Sequence, residues 1–141
     1  MPPALPANSP NLVPICAQIA EVQYSVPACI VRAIHVLESS GRTAPGLVRQ
    51  NANGTEDHGD MQINDVWANT FQRKFGISRA DLSSDLCLSM RAAGYVVRYE
   101  INRTGDFWKG VGNFHSRTPA LNYNYAMRVS REATRFGCQI K

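Results

Sequence analysis

The chain has 141 residues, 44% of them apolar and 18% charged, which suits one packed core and argues against disorder. Its net charge of +4 comes from scattered basic residues with no run of five or more, so no nucleic-acid patch is expected. The longest apolar stretch, residues 28–37, is interrupted by Arg32 and His35 and falls short of the ~18 residues that span a bilayer, so no membrane span is expected.

Residues 1–10 are Pro-rich, carry no charged side chain, and read as a flexible tail ahead of one domain over residues 11–141. Pro14 suits the first turn of a helix, and Ile15, Ala17, Ile19, Ala20 and Val22 give it an apolar face ending near Tyr24. Pro27 starts a second helix in which Ile30, Val31, Ala33, Ile34 and Leu37 recur at helical spacing until Gly41 stops it. Over residues 42–64 the period lapses; Pro45, Gly46, Asn53, Gly54 and Gly59 mark turns around a small two- or three-stranded sheet. Residues 65–75 read as a short helix. Ser83 or Ser84 is the expected cap of a longer one reaching about Ile101. Residues 107–114 read as a short helix or loop, and residues 119–136 as a last helix closed by Gly137. The expected fold class is mostly α, an α+β domain with a small irregular β insertion after the second helix.

Cys16, Cys29, Cys87 and Cys138 contain no C-x-x-C pair and no finger-like Cys/His quartet, which argues against structural zinc. An even number of scattered cysteines fits two disulfides and an oxidising compartment, with four buried thiols as the alternative. The opening MPPALPANSP shows no export signal, so one is expected to have been removed ahead of it.

Three segments carry chemistry. In HVLESSGR, Glu38 ends an otherwise apolar helix, where the negative end of the helix dipole and partial burial both disfavour its charge. That is what a general acid needs near neutral pH; a solvated glutamate at a frayed end is the alternative. The string NGTEDHGDMQIN leads a polar, glycine-punctuated loop into Met61 and Gln62, which can line a sugar groove. His58 with Glu56, Asp57, Asp60 and Asp65 has no spacing that selects a metal, and none is expected. VGNFHSRTP and NYNYAMRV cluster aromatic and amide side chains in a way that suits a carbohydrate site, with an ordinary aromatic helix end as the alternative.

In this order, ESSG, GDMQIN, FHS and YAMRV resemble the motifs of the lytic transglycosylase domain, a lysozyme-like cell-wall enzyme fold, over residues 14–136. Phe114-His115-Ser116 and Asp85-Leu86-Cys87 look most like the small members that serve secretion, conjugation and pilus systems. The resemblance implies Glu38 as the catalytic acid/base. It implies Ser39 as a residue orienting substrate or carboxylate, Met61, Gln62, Phe114 and His115 as groove residues, and Tyr125 as a hydroxyl that reaches the acid. It also implies Cys16–Cys87 and Cys29–Cys138 disulfides, a periplasmic monomer, no cofactor, peptidoglycan as substrate and a trans-envelope machine as partner. Asp60 stands where the family has an apolar residue, which places an extra carboxylate near the groove, and Phe114 lacks the usual tyrosine hydroxyl.

The implied reaction breaks the β-1,4 bond between N-acetylmuramic acid and N-acetylglucosamine and closes a 1,6-anhydro ring using one carboxyl group. Two alternatives remain. One is a hydrolase (muramidase) that recruits Asp60, Asp57 or Glu56 to activate water; the other is a non-catalytic peptidoglycan-binding scaffold module.

Overall fold

The computed structural model describes residues 8–138. A 3-10 turn at Pro10–Leu12 leads into seven helices, α1 (Val13–Tyr24), α2 (Ala28–Ser39), α3 (Asp65–Phe75), α4 (Arg79–Ser84), α5 (Leu86–Thr104), α6 (Phe107–Asn113) and α7 (Pro119–Thr134). Between α2 and α3 lies an antiparallel sheet of β1 (Val48–Gln50), β2 (Glu56–His58) and β3 (Ile63–Asn64) in sequential order. The mostly helical α+β class read from the sequence is therefore the observed one. Of the expected tail, residues 1–7 lie outside the described residues. Asn8 is docked: its side chain donates to Ser84 O and accepts from the Leu86 amide.

The long helix α5 is the axis of the core. Leu86, Met90, Ala93, Val96 and Val97 are buried along it, with α1 on one side and α6 on another. Each large aliphatic side chain removed from water there contributes about 1.5–3 kcal/mol. α7 packs on α2 and α6, which brings the last helix against the end of the second. Two disulfides clamp this arrangement: Cys16 is bonded to Cys87, joining α1 to α5, and Cys29 to Cys138, joining the first turn of α2 to the chain beyond α7. No helix among the described residues is long and apolar enough to cross a membrane.

The cap of α5 differs from expectation. Ser83 and Ser84 turn their hydroxyls back onto Ala80 O, completing the short helix α4 rather than starting α5. Asp85 takes the cap instead, in extended backbone, its carboxylate accepting from the Leu88 amide. The short helix α4 is not among the elements expected from the sequence, and the start of α5 is displaced by one or two residues because serine, like aspartate, is a good cap former.

Gly59 fixes how the sheet meets the helices. Its φ is +76°, and a Cβ there would lie 2.2 Å from Leu82 O. Gly54, at φ +85° in the turn between β1 and β2, has open space around it. Gly59→Ala is therefore expected to lower unfolding free energy by at least about 3 kcal/mol and Gly54→Ala by only about 1 kcal/mol, read from urea denaturation.

Candidate active site

Glu38 lies in the last turn of α2. Beyond it Ser40 adopts φ +58° and donates its amide to Val36 O, while Gly41 donates to His35 O, the paired bonds of a Schellman turn. The turn is fastened again by His35 Nε2, which donates to Arg42 O at 2.8 Å, and by Ser39 Oγ, which donates to His35 O. The Glu38 carbonyl accepts from Arg49 Nη1 at 2.7 Å. With its backbone held this way, the half-buried Glu38 side chain leaves the helix end toward α7, where the buried Tyr125 hydroxyl donates to Oε2 at 2.8 Å.

Glu38 lines a cavity of about 280 Å³. Asn51, Thr55, Asp57, Gln62 and Asn64 come from the sheet and its loops, and Phe114 and His115 from the segment between α6 and α7. His115 stacks on Tyr125 with ring centroids 4.8 Å apart and planes 15° apart, and Phe114 stacks at 6.4 Å. Gln62 sits at φ +53° with its amide donating to Gly59 O. The walls are thus polar toward the sheet and aromatic toward the helices, the mixture that saccharide rings and hydroxyls need.

The electrostatics are opposed. Burial raises the Glu38 pKa above the ordinary carboxylate value, the direction argued from its place on the helix, and nearby Asp57 raises it further. The Tyr125 hydrogen bond and the charges of Arg128 and Arg49 pull the other way. Burial also drives the Tyr125 phenol well above its usual range, so it stays a donor at all ordinary pH. His115 is lowered by desolvation and then by Arg128, so its imidazole favours the neutral form.

The structure brings Glu38, Gln62, Phe114, His115 and Tyr125 together. It does not bring Met61 or Ser39 into the cavity. Met61 is fully buried in the core, its amide donating to Ser89 Oγ. Ser39 faces away, into the turn that holds the end of α2. Asp60 is also withdrawn: it is 3% exposed, and its carboxylate accepts from the Ala44 amide at 2.8 Å, pinning the loop before β1. The carboxylate that does reach the cavity is Asp57, paired across the hairpin with Asn64. Asn51, Thr55 and Asn64 are not legible as groove residues from the sequence, whereas Asp57 is one of the three carboxylates that the hydrolase alternative names. Alternation along β2 is the sequence signal for Asp57, which faces opposite to the buried His58. His58 itself is spent on Asp65, with Nε2 2.8 Å from Oδ1. Glu56 joins these two in an acidic cluster that offers one ligand atom each. The Asp65 carboxylate there already accepts from the Glu56 amide and from Arg79.

A disulfide-clamped helical domain with a small antiparallel sheet, carrying a tyrosine-bonded carboxyl group in a polar and aromatic cleft, is the class this fold and site define. No family model matches the chain. The chain is 32% identical over 130 residues to Protein IpgF of Shigella flexneri, an alignment covering 89% of this chain and 84% of that protein. It is 29% identical over 117 residues to Invasion protein IagB of Salmonella typhimurium, covering 83% of this chain and 71% of that one. The chain belongs to the IpgF family.

Two substitutions should move the Glu38 pKa in opposite directions. Tyr125→Phe removes the hydrogen bond that favours the carboxylate and raises it further; Asp57→Asn removes a repelling charge and lowers it. Carbon-detected NMR titration of the Glu38 carboxyl measures both.

Proposed function

We propose that the protein is a peptidoglycan lytic transglycosylase with a lysozyme-like fold, in which Glu38 is the single acid/base. The observation that carries this reading is the 2.8 Å bond from the Tyr125 hydroxyl to Glu38 Oε2, inside a cleft of sugar-compatible side chains. It leaves Oε1 of the carboxyl free to hold the catalytic proton, on a group whose burial favours the protonated form.

With a glycan strand in the cleft, protonated Glu38 gives its proton to the oxygen of the scissile β-1,4 bond. The C1–O bond breaks, and the substrate's own 2-acetamido group stabilises the cationic centre. The Glu38 carboxylate then takes the proton of the muramoyl 6-hydroxyl as that oxygen bonds to C1. The ring closes to 1,6-anhydro-N-acetylmuramic acid and the acid is regenerated. Tyr125 holds Oε2 fixed through both proton transfers, and Gln62, His115 and Phe114 orient the flanking sugars.

One observation favours a second reading. Asp57 lines the same cavity as Glu38, so a carboxylate is at hand to activate water in a hydrolytic cleavage. The products separate the two: anhydro-muramoyl ends for the transglycosylase, reducing ends for the hydrolase, resolved by mass spectrometry of muropeptides released from purified sacculi. Two disulfides support a periplasmic setting. Kinship with a protein named for invasion supports local wall opening for a trans-envelope apparatus.

Glu38→Gln should lower product release by at least ~10²-fold, the usual scale for a general acid. It should also stabilise the fold. A carboxyl whose folded pKa is raised loses stability as pH climbs through that raised value, and the amide has no such loss. The variant should therefore melt above the parent at neutral pH, with the gap vanishing below the ordinary glutamate pKa. Calorimetry across pH checks the sign, and undiminished digestion of sacculi by the variant overturns the assignment.

A further inference from the structure

A second cavity lies beside the first. Asn64 and His115 line both the Glu38 cavity and this one of about 510 Å³, so the two are neighbours across the imidazole. One wall of the second cavity is aromatic and braced: the Trp67 ring meets Tyr99 and Tyr95 edge-on, with centroids 5.2 and 6.0 Å away. Glu100, 1% exposed, also lines it, but its carboxylate is already bound by Arg103, Arg117 and Asn113. Arg73 and Lys74, from the last turn of α3, stand exposed at its rim. Among the described residues neither cation has a hydrogen-bonded or ion-paired side-chain partner, and Glu100 is the one carboxylate lining this cavity.

Cations at a helix C-terminus complement its dipole, which accounts for their place on α3. It does not account for their position beside a braced aromatic wall on a cavity that shares Asn64 and His115 with that of the candidate acid. A neutral saccharide calls for amides and hydroxyls; two unpaired cations next to an apolar wall call for an anion with an apolar body. We propose that this cavity is a carboxylate-binding subsite for the peptide branch of the strand held at Glu38, with Arg73 and Lys74 pairing the peptide carboxylates and Trp67 and Tyr99 packing its aliphatic part. The inference rests on the glycan-cleaving reading and adds that the protein selects strands that still carry peptides.

The test uses the full chain and two substrates: peptide-bearing glycan strands, and the same strands stripped by an amidase, which leaves the muramoyl lactyl carboxylate in place. Binding and cleavage are measured separately. The parent should bind the peptide-bearing strands about three- to tenfold more tightly, the scale of two exposed charge pairs. In Arg73→Gln/Lys74→Gln, with an unchanged circular dichroism spectrum, the ratio of the two Kd values should fall to near one. Equal parent affinity for both strands overturns the subsite, as does a preference that survives the double substitution. A parent that shows the binding preference yet cuts neither strand supports the subsite and sinks the glycan-cleaving reading.

Discussion

Glu38 and Tyr125 meet across 87 residues of chain, and the hydrogen bond between them holds the last turn of α2 against α7 at the edge of the cleft. The same two helices are tied again at their other ends, where Cys29 in the first turn of α2 is bonded to Cys138 beyond α7. A covalent bond at one end and a phenol–carboxyl bond at the other fix the spacing of the pair. The carboxyl therefore sits where burial and a donor act on it together. Burial favours the protonated carboxyl, and the donor fixes one of its oxygens. A site that relied on burial alone would leave that oxygen without a partner, which is costly in a half-buried position.

Tyr125 owes its own orientation to the segment after α6. Phe114 and His115 stack on its ring, and the segment that carries them is anchored by Glu100 through Asn113 and Arg117. Glu100 is almost wholly buried, and its three partners lower its pKa against the large opposing effect of desolvation. Such a cluster is a weak source of net stability but a strong constraint on geometry, since removing one partner strands a buried charge. Asn122 extends the anchor, donating to Asn113 Oδ1 and to Lys109 O. The candidate acid is thus held at second hand by a carboxylate on a different helix, which also lines the neighbouring cavity.

On the opposite side of the cleft, the three-stranded sheet decides which polar groups face the carboxyl. Gly59 and Gln62 both take positive φ, and the chain between them reverses so that Asp60 and Met61 turn inward while Gln62 reaches the cavity. The inward groups are not idle. Asp60 fastens the loop before β1, and Met61 joins the hydrophobic core.

Much of this was legible in the residues alone. Helical periodicity and the Pro, Gly and Asn punctuation located the β insertion and the helices other than the short α4. The apolar run ending in Glu38 marked a carboxyl at a helix terminus, because a side chain's place on a helix follows from local spacing. The cap of α5 was misplaced because Ser83, Ser84 and Asp85 are all good cap formers, and only the backbone geometry chose among them. What tertiary structure decided was pairing and facing. Nothing local joins Tyr125 to Glu38, or separates Asp57, which reaches the cavity, from Asp60, which does not. Strand alternation loses its meaning across residues with left-handed backbone, and contacts across many tens of residues exist only once the helices have packed.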